Sequence, residues 1–379
     1  MPCLFLVALA SIDKEVVHTP WWPPGSEATA ESVGIVSRGR IFMTAMMELK
    51  ETDEKAVDAE LSDVADISIA AGTNLSGLVS CLVNAPANQS ARIRGLFTSS
   101  TTWPQHIALT VVEMVGEYSG TFPFQLQCTG VQPALHPIRV LAHGTRSRAV
   151  EAGGIAELSV RAPSVSAALT AIKELVNGEL DALLSCTAFV RSGAEGATDA
   201  AELHDALRVT TVPVALTMLH APTEDDEDES SGALLSLACT ALAERPASGE
   251  VSGVSAPGGG YAVVDRKHGL IFTSGLRIAD ANSTGAFGNL GALLDAAGSD
   301  LELLLACRFY LGVLPAAGYP AQLFAGFQRT FCEAHPPPPT RAEYVAPGVG
   351  HSSDHASGLI AQCTAALPSR RALAADPFG

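Results

Sequence analysis

Apolar residues in this chain follow two rhythms, and the alternation between them recurs. Short β-like apolar runs give way to longer stretches with apolar positions three and four apart, the spacing of one helix face. The run "LSGLVSCLV" at 75–83 returns as "LDALLSCTAFV" at 180–190 and again as "LELLLACRFYL" at 301–311. Each time a leucine precedes a cysteine by six positions. Ahead of these runs lie "LSDVADISIAAG", "SVSAALTAIKELVNG" and "FGNLGALLDAAG". All three have helical periodicity and close on a glycine, which suits a helix C-cap.

Spacing tests whether this is a true repeat. Gly39, Gly154 and Gly269, in "RGRIFMTAMM", "AGGIAELSVR" and "KHGLIFTSGL", are separated by 115 and 115 residues. Five positions after each comes a hydroxyl residue: Thr44, Ser159 and Ser274. A second helix-like stretch leads to Pro104, Pro213 and Pro339, and a second cysteine follows 24, 26 and 24 residues later. The order predicts strand, strand, helix, strand, helix, strand, strand in each copy, an α+β layout with helices on one face of a sheet. Three tandem units follow, at 26–132, 137–244 and 250–368. The joins "VQPALH" and "ERPASGEVSGVSAPGGG" are short, so the units should pack around a pseudo-threefold axis within one chain.

Composition narrows the function. The 379 residues are 47% hydrophobic, which suits well-buried domains and not a disordered chain. With 40 acidic and 23 basic residues the net charge is −17, which argues against nucleic acid or an anionic membrane as partner. Much of that charge lies in "TEDDEDESS" at 223–231, expected as a solvated loop. "MPCLFLVALA" at the start is too short to cross a bilayer and lacks a basic flank, so it reads as a strand. The eight cysteines contain no CxxC pair. Cys81, Cys186 and Cys307 fall in the first recurring run, and Cys128, Cys239 and Cys363 in "QLQCTG", "LSLACTA" and "IAQCTA". These six read as small apolar strand residues carrying buried free thiols, which points to a reduced, cytoplasmic setting.

The third copy carries a family resemblance. "APGGGYAVV", "GLIFTSGLRI", "LLDAAGSDLELLLACRFYL" and "PPPPTRAEYVAP" resemble the Rid family, the reactive-intermediate deaminases also called YjgF. Tyr261 stands thirteen residues before the pair Ser274-Gly275, and Arg341 stands two residues after a proline, as the family pattern has them. The match covers about 250–367, and the first two copies join it through spacing and apolar pattern. Family members are homotrimers of a chorismate-mutase-like fold with clefts between subunits. The resemblance therefore implies a trimer fused end to end, monomeric because it already contains its three units. It also implies hydrolysis of imines and enamines of 2-oxo acids to the oxo acid and ammonia.

That chemistry sets what each copy must keep. A substrate carboxylate is best held by a planar, always-charged bidentate donor, which is arginine. The resemblance assigns that role to Arg341, with Tyr261, Ser274 and Gly275 binding substrate beside it. On spacing, the matching positions are His106 in copy one and Ala215 in copy two, so two anchors are lost. The family's last-strand glutamate falls on Gln127, Ala238 and Gln362, so Gln362 stands where the catalytic acid would. Loss of such a group costs ~10²–10⁴ in rate, while binding can survive. The expectation is a small carboxylate ligand, 2-oxo or 2-imino, with weak or no hydrolysis, and no cofactor or metal. "HSSDH" at 351–355 reads as a loop and not a metal site. Cyanuric-acid and barbiturate hydrolases have a Ser–Lys pair in each of three repeats, but the five lysines here recur at no equivalent position. The remaining rival is a non-catalytic metabolite-binding or assembly module, such as the Rid-like part of a diphthine–ammonia ligase.

Overall fold

The computed structural model describes residues 14–23, 32–46, 54–85, 90–113, 125–144, 146–176, 178–191, 194–221, 235–256, 260–278, 287–311, 326–334, 337–345 and 359–369. The stretches at 1–10, 223–231 and 351–355 lie outside them. Three mixed sheets hold all the described strands. The first contains β1 (Glu15–Val17), β2 (Gly34–Ser37), β3 (Arg40–Met46), β4 (Leu78–Ala85), β5 (Ala108–Glu113) and β6 (Gln125–Val131), in the order β1-β2-β3-β6-β4-β5. The second contains β7 (Ile138–His143), β8 (Ser147–Ala152), β9 (Ile155–Ala162), β10 (Leu183–Arg191), β11 (Ala215–Ala221) and β12 (Leu235–Leu242), in the order β7-β8-β9-β12-β10-β11. The third contains β13 (Val251–Ser255), β14 (Tyr261–Asp265), β15 (Leu270–Thr273), β17 (Leu304–Leu311), β18 (Thr340–Val345) and β19 (Leu359–Ala366). Its order is β13-β14-β15-β19-β17-β18, with β16 (Leu276–Ile278) also paired to β19. The same path is drawn three times, which is the α+β pseudo-trimer that the repeats imply.

Local chemistry explains the repeated elements. The turns into β3, β9 and β15 end on Gly39, Gly154 and Gly269 with φ of +78°, +82° and +70°, a region glycine enters without steric cost. Helices α1 (Glu54–Ala70), α3 (Val165–Leu175) and α5 (Gly288–Ala296) follow. Each is followed by a left-handed glycine: Gly72, Gly178 and Gly298. The recurring leucines Leu75, Leu180 and Leu301 each open a single 3₁₀ turn that feeds the buried strand behind it. Second helices α2 (Ser90–Ser99) and α4 (Ala194–Arg208) occupy the first two repeats, and a π-helical segment, Gln328–Ala334, stands in the third.

The helices cover one face of each sheet, and the other faces meet on the axis. Leu290, Leu293 and Phe327 pack with Cys307 and Phe309 on the helix side of the third sheet. On the inner side Leu82 and Val112, Phe189 and Leu219, and Tyr310 and Ala342 form one apolar plug drawn from all three repeats. Beyond the opposite ends of these strands the hairpin turns interlock. Arg38 donates to the Leu367 carbonyl at 2.7 Å across Gly269, and a Cβ on Gly154 would come 2.7 Å from His268 Nε2.

The cysteines correct the free-thiol expectation. Cys81–Cys128, Cys186–Cys239 and Cys307–Cys363 are disulfides. Each pair lies directly opposite in the antiparallel ladder of β4 with β6, β10 with β12, or β17 with β19. Their Cα atoms are 4.1, 4.1 and 4.2 Å apart. Directly opposed residues approach most closely at the non-hydrogen-bonded positions of such a ladder, which brings two Sγ atoms into bonding range. The thiols are buried and equivalent as expected, but they are paired. The ground for inferring a reducing compartment is therefore removed.

Candidate functional site

Register fixes which residues are equivalent. Arg341 lies opposite Cys307 in the parallel pair β17–β18, as Leu109 lies opposite Cys81 and Leu216 opposite Cys186. The counterparts of Arg341 are thus Leu109 and Leu216, which corrects the spacing-based choice of His106 and Ala215. A difference in loop length between proline and strand misled the count. The conclusion that only the third repeat carries an arginine there stands. Gln127, Ala238 and Gln362 are equivalent as read, each preceding its disulfide cysteine.

The same register shows that Arg341 and Gln362 are on opposite faces of the sheet. Arg341 shares the helix-facing side with Cys307 and is buried, its guanidinium 5.0 Å from the centroid of the Phe327 ring. Gln362 lies opposite Arg308 and faces the axis, where Thr187 and Tyr310 both donate to its Oε1, at 2.8 and 3.2 Å. The Thr187 bond ties repeat two to repeat three, and the Tyr310 bond lies within repeat three. Nothing in the geometry brings Gln362 to Arg341.

Tyr261, Ser274 and Gly275 face repeat two. Tyr261 N–H donates to Ser274 Oγ at 3.2 Å, and Ser274 N–H donates to the Tyr261 carbonyl at 2.7 Å. A Cβ on Gly275 would meet Ile360 at 2.9 Å and Thr217 of β11 at 3.0 Å, so any larger residue here would push against the neighbouring repeat. Between them is a cavity of about 310 Å³ lined by Tyr261, Ser274, Leu216, Met218, His204 and Arg208. Tyr261 presents its ring there. Its hydroxyl is buried against Gly253 of β13, where a Cβ would collide with it, and burial raises its pKa.

The other two junctions are bridged by the protein itself. Between repeats one and two, Thr110 Oγ1 donates to Ser159 Oγ at 2.8 Å, and Ser159 Oγ donates to the Leu109 carbonyl at 2.8 Å. Arg148, at the register position of Tyr261, donates to the Gln105 and Ile107 carbonyls at 3.3 and 3.4 Å. Between repeats three and one, Ser32 bridges Thr340 and its Oγ donates to the Pro338 carbonyl at 2.7 Å. Lys14 seals the same junction by donating to the Glu302 and Pro337 carbonyls. The predicted ligand-binding set is therefore divided. Arg341 belongs to the junction with repeat one, and Tyr261, Ser274 and Gly275 belong to the junction with repeat two.

Arg208 and His204 were missed in the sequence. They are exposed residues on the last turns of α4, and neither the repeat nor the family pattern marks them. Among the described residues no group of three or more His, Cys, Asp or Glu is placed to hold a metal ion, and no helix is long and apolar enough to cross a membrane.

No family model matches the chain, and no curated protein matches it. Solved structures do. A chorismatase crystal structure aligns over 86% of this chain and 98% of its own at 10% identity, with a TM-score of 0.49. A Rid-family protein from Yersinia pestis aligns over 31% of this chain and 98% of its own at 16% identity, with a TM-score of 0.26. A YjgF-family protein from Neisseria meningitidis aligns over 28% and 86% at 19% identity, with a TM-score of 0.23. The chain's own architecture, three mixed sheets of six, six and seven strands on one repeated path, fits three fused Rid-like units.

Proposed function

We propose that the chain binds a small carboxylate metabolite, of the 2-oxo or 2-imino acid class, in the cleft between repeats two and three. The observation that carries this is the cavity of about 310 Å³ between Tyr261 and Ser274 on one wall and Leu216, Met218 and Arg208 on the other. That size admits a small metabolite, and the wall is apolar with few polar groups, the usual make-up of a ligand cleft. Arg208 supplies the guanidinium that a carboxylate needs, in place of an arginine at the Leu216 position. The Ser274 hydroxyl is available to hydrogen-bond the polar end of the ligand.

Imine hydrolysis is weak or absent on this reading. A glutamine cannot accept a proton at neutral pH, and Gln362 already accepts two hydrogen bonds on the far side of the sheet. Calorimetric titration with pyruvate and 2-oxobutanoate tests the binding. Arg208→Ala should weaken it about tenfold, equivalent to about 1.4 kcal/mol, and Arg341→Ala should leave it unchanged. The reverse pattern would move the site to the junction with repeat one. Ammonia release from 2-iminopropanoate at the rate of an efficient deaminase would refute the loss of catalysis. No binding of either oxo acid would favour an assembly module instead.

A further inference from the structure

A second cavity lies on the pseudo-threefold axis, apart from the clefts. It has a volume of about 60 Å³, room for about four or five waters, and residues of all three repeats line it. Thr129, Thr240 and Thr364 form a ring of equivalent hydroxyls around it. At two other levels the symmetry breaks. Phe42 and Phe272 lie opposite two of those threonines, and Glu157 lies opposite the third, where Thr240 Oγ1 donates to its Oε2 at 3.0 Å. Likewise Leu82 and Thr187 hold the positions equivalent to Arg308, whose Nε donates to Gln127 Oε1.

One carboxylate from repeat two and one guanidinium from repeat three thus face the same small space. They make no direct ion pair. Glu157 and Arg308 are half-buried where they line the cavity, and a charge drawn out of water is costly unless a partner takes up its remaining hydrogen bonds. Burial pushes the Glu157 carboxyl up, and Arg40, the Thr240 hydroxyl, Arg308 and the Ser80 hydroxyl pull it back toward the charged form. Arg40 is itself shared with Asp265 and Glu151 and donates to the Ala152 carbonyl. Two sister repeats fill each position with an uncharged residue, so the fold does not require a charge at either level.

We propose that the axial cavity binds a small zwitterion, of the size of glycine, with its ammonium group toward Glu157 and its carboxylate toward Arg308. A simple anion would face the Glu157 carboxylate, and a simple cation would face the Arg308 guanidinium. An apolar guest would strand the threonine hydroxyls. A zwitterion of five non-hydrogen atoms satisfies both charges at once, and the rings of Phe42 and Phe272 favour a cation near them. This site is independent of the cleft between repeats two and three.

The test is equilibrium dialysis and calorimetry with glycine, acetate and methylammonium, on Arg208→Ala chains so that the cleft's guanidinium is removed. Glycine should bind saturably at one per chain, and acetate and methylammonium about tenfold or more weaker. Arg308→Leu, which installs the residue of the first repeat, and Glu157→Gln should each lower glycine affinity about tenfold or more. If Arg308→Leu does not fold, Glu157→Gln decides alone. No saturable glycine binding would mean that water alone fills the cavity, and would overturn the proposal. So would acetate binding as tightly as glycine, or glycine binding that survives Glu157→Gln.

Discussion

Lys14, just ahead of β1, ties the first sheet to the third repeat by donating to the Glu302 and Pro337 carbonyls. Burial lowers its pKa from 10.5 to about 7, against the opposing pull of Asp300 and Glu302. The folded form therefore loses its proton near pH 7 and the unfolded form near 10.5. Between those values the unfolded state binds more protons, so stability rises with pH across that window and is flat below it. The rise attributable to Lys14 is bounded at about 5 kcal/mol. Urea unfolding across the window should show a shallower rise for Lys14→Met than for the wild type, and equal slopes would contradict the buried lysine. The cysteines give a second test. Among the described residues six cysteines form three disulfides, so of the eight in the sequence a non-reduced, denatured chain should titrate no more than two as thiols. Eight would restore the free-thiol reading.

At the level of elements, the β3-type strands and the β5-type edge strands are where repeats touch. Gly275 follows β15 at such a contact, with Thr217 of β11 closing on it. Gly275→Ala forces a methyl into that contact and should cost about 1–3 kcal/mol, the usual range for overpacking. Trimming the opposing side chain in Gly275→Ala/Thr217→Ala should recover part of that loss, because neighbours in contact do not add independently. Chemical denaturation of the four proteins measures the coupling. Strict additivity would show that β11 and the Ser274-Gly275 segment are not packed as described. The same contact bears on function, since a displaced β11 carries Leu216 and Met218 away from Tyr261 and should weaken oxo-acid binding along with stability.

For the whole molecule, fusion changes what a cyclic assembly can do. Three identical subunits place every site residue in every cleft, even though each cleft draws on two neighbours. Once the copies are joined and free to diverge, each junction keeps only what its two contributing repeats retain. Here one junction holds Arg341, another holds Tyr261 with Ser274, and the third is bridged by Arg148 and Ser159. The axis diverged too, to one glutamate and one arginine where symmetry would give three of each. With its three inner faces already buried against each other, the chain should be monomeric. Light scattering should return the single-chain mass of 39.1 kDa, and an obligate trimer of full-length chains would refute self-sufficiency.

The sequence by itself determined the repeat and most of its elements in order; each sheet opens on a strand (β1, β7 and β13) beyond the predicted strand, strand, helix order. The elements it did determine are set locally, by apolar period, by glycines at left-handed turns and caps, and by leucines that open a 3₁₀ turn. It also determined that Gln127, Ala238 and Gln362 are equivalent, because the cysteine that follows each is an unambiguous marker. Only the tertiary structure decided the rest. Whether opposed cysteines bond depends on which rung of the ladder they share, and a one-residue slip would send their side chains to opposite faces. For the same reason Arg341 and Gln362, both read as site residues, look in opposite directions. Which repeat completes a cleft depends on the sense in which three units close around an axis, and no local pattern carries that. Arg208 lines its cleft because α4 ends beside Tyr261 of the next repeat, a closeness between residues 53 apart in sequence that only packing creates.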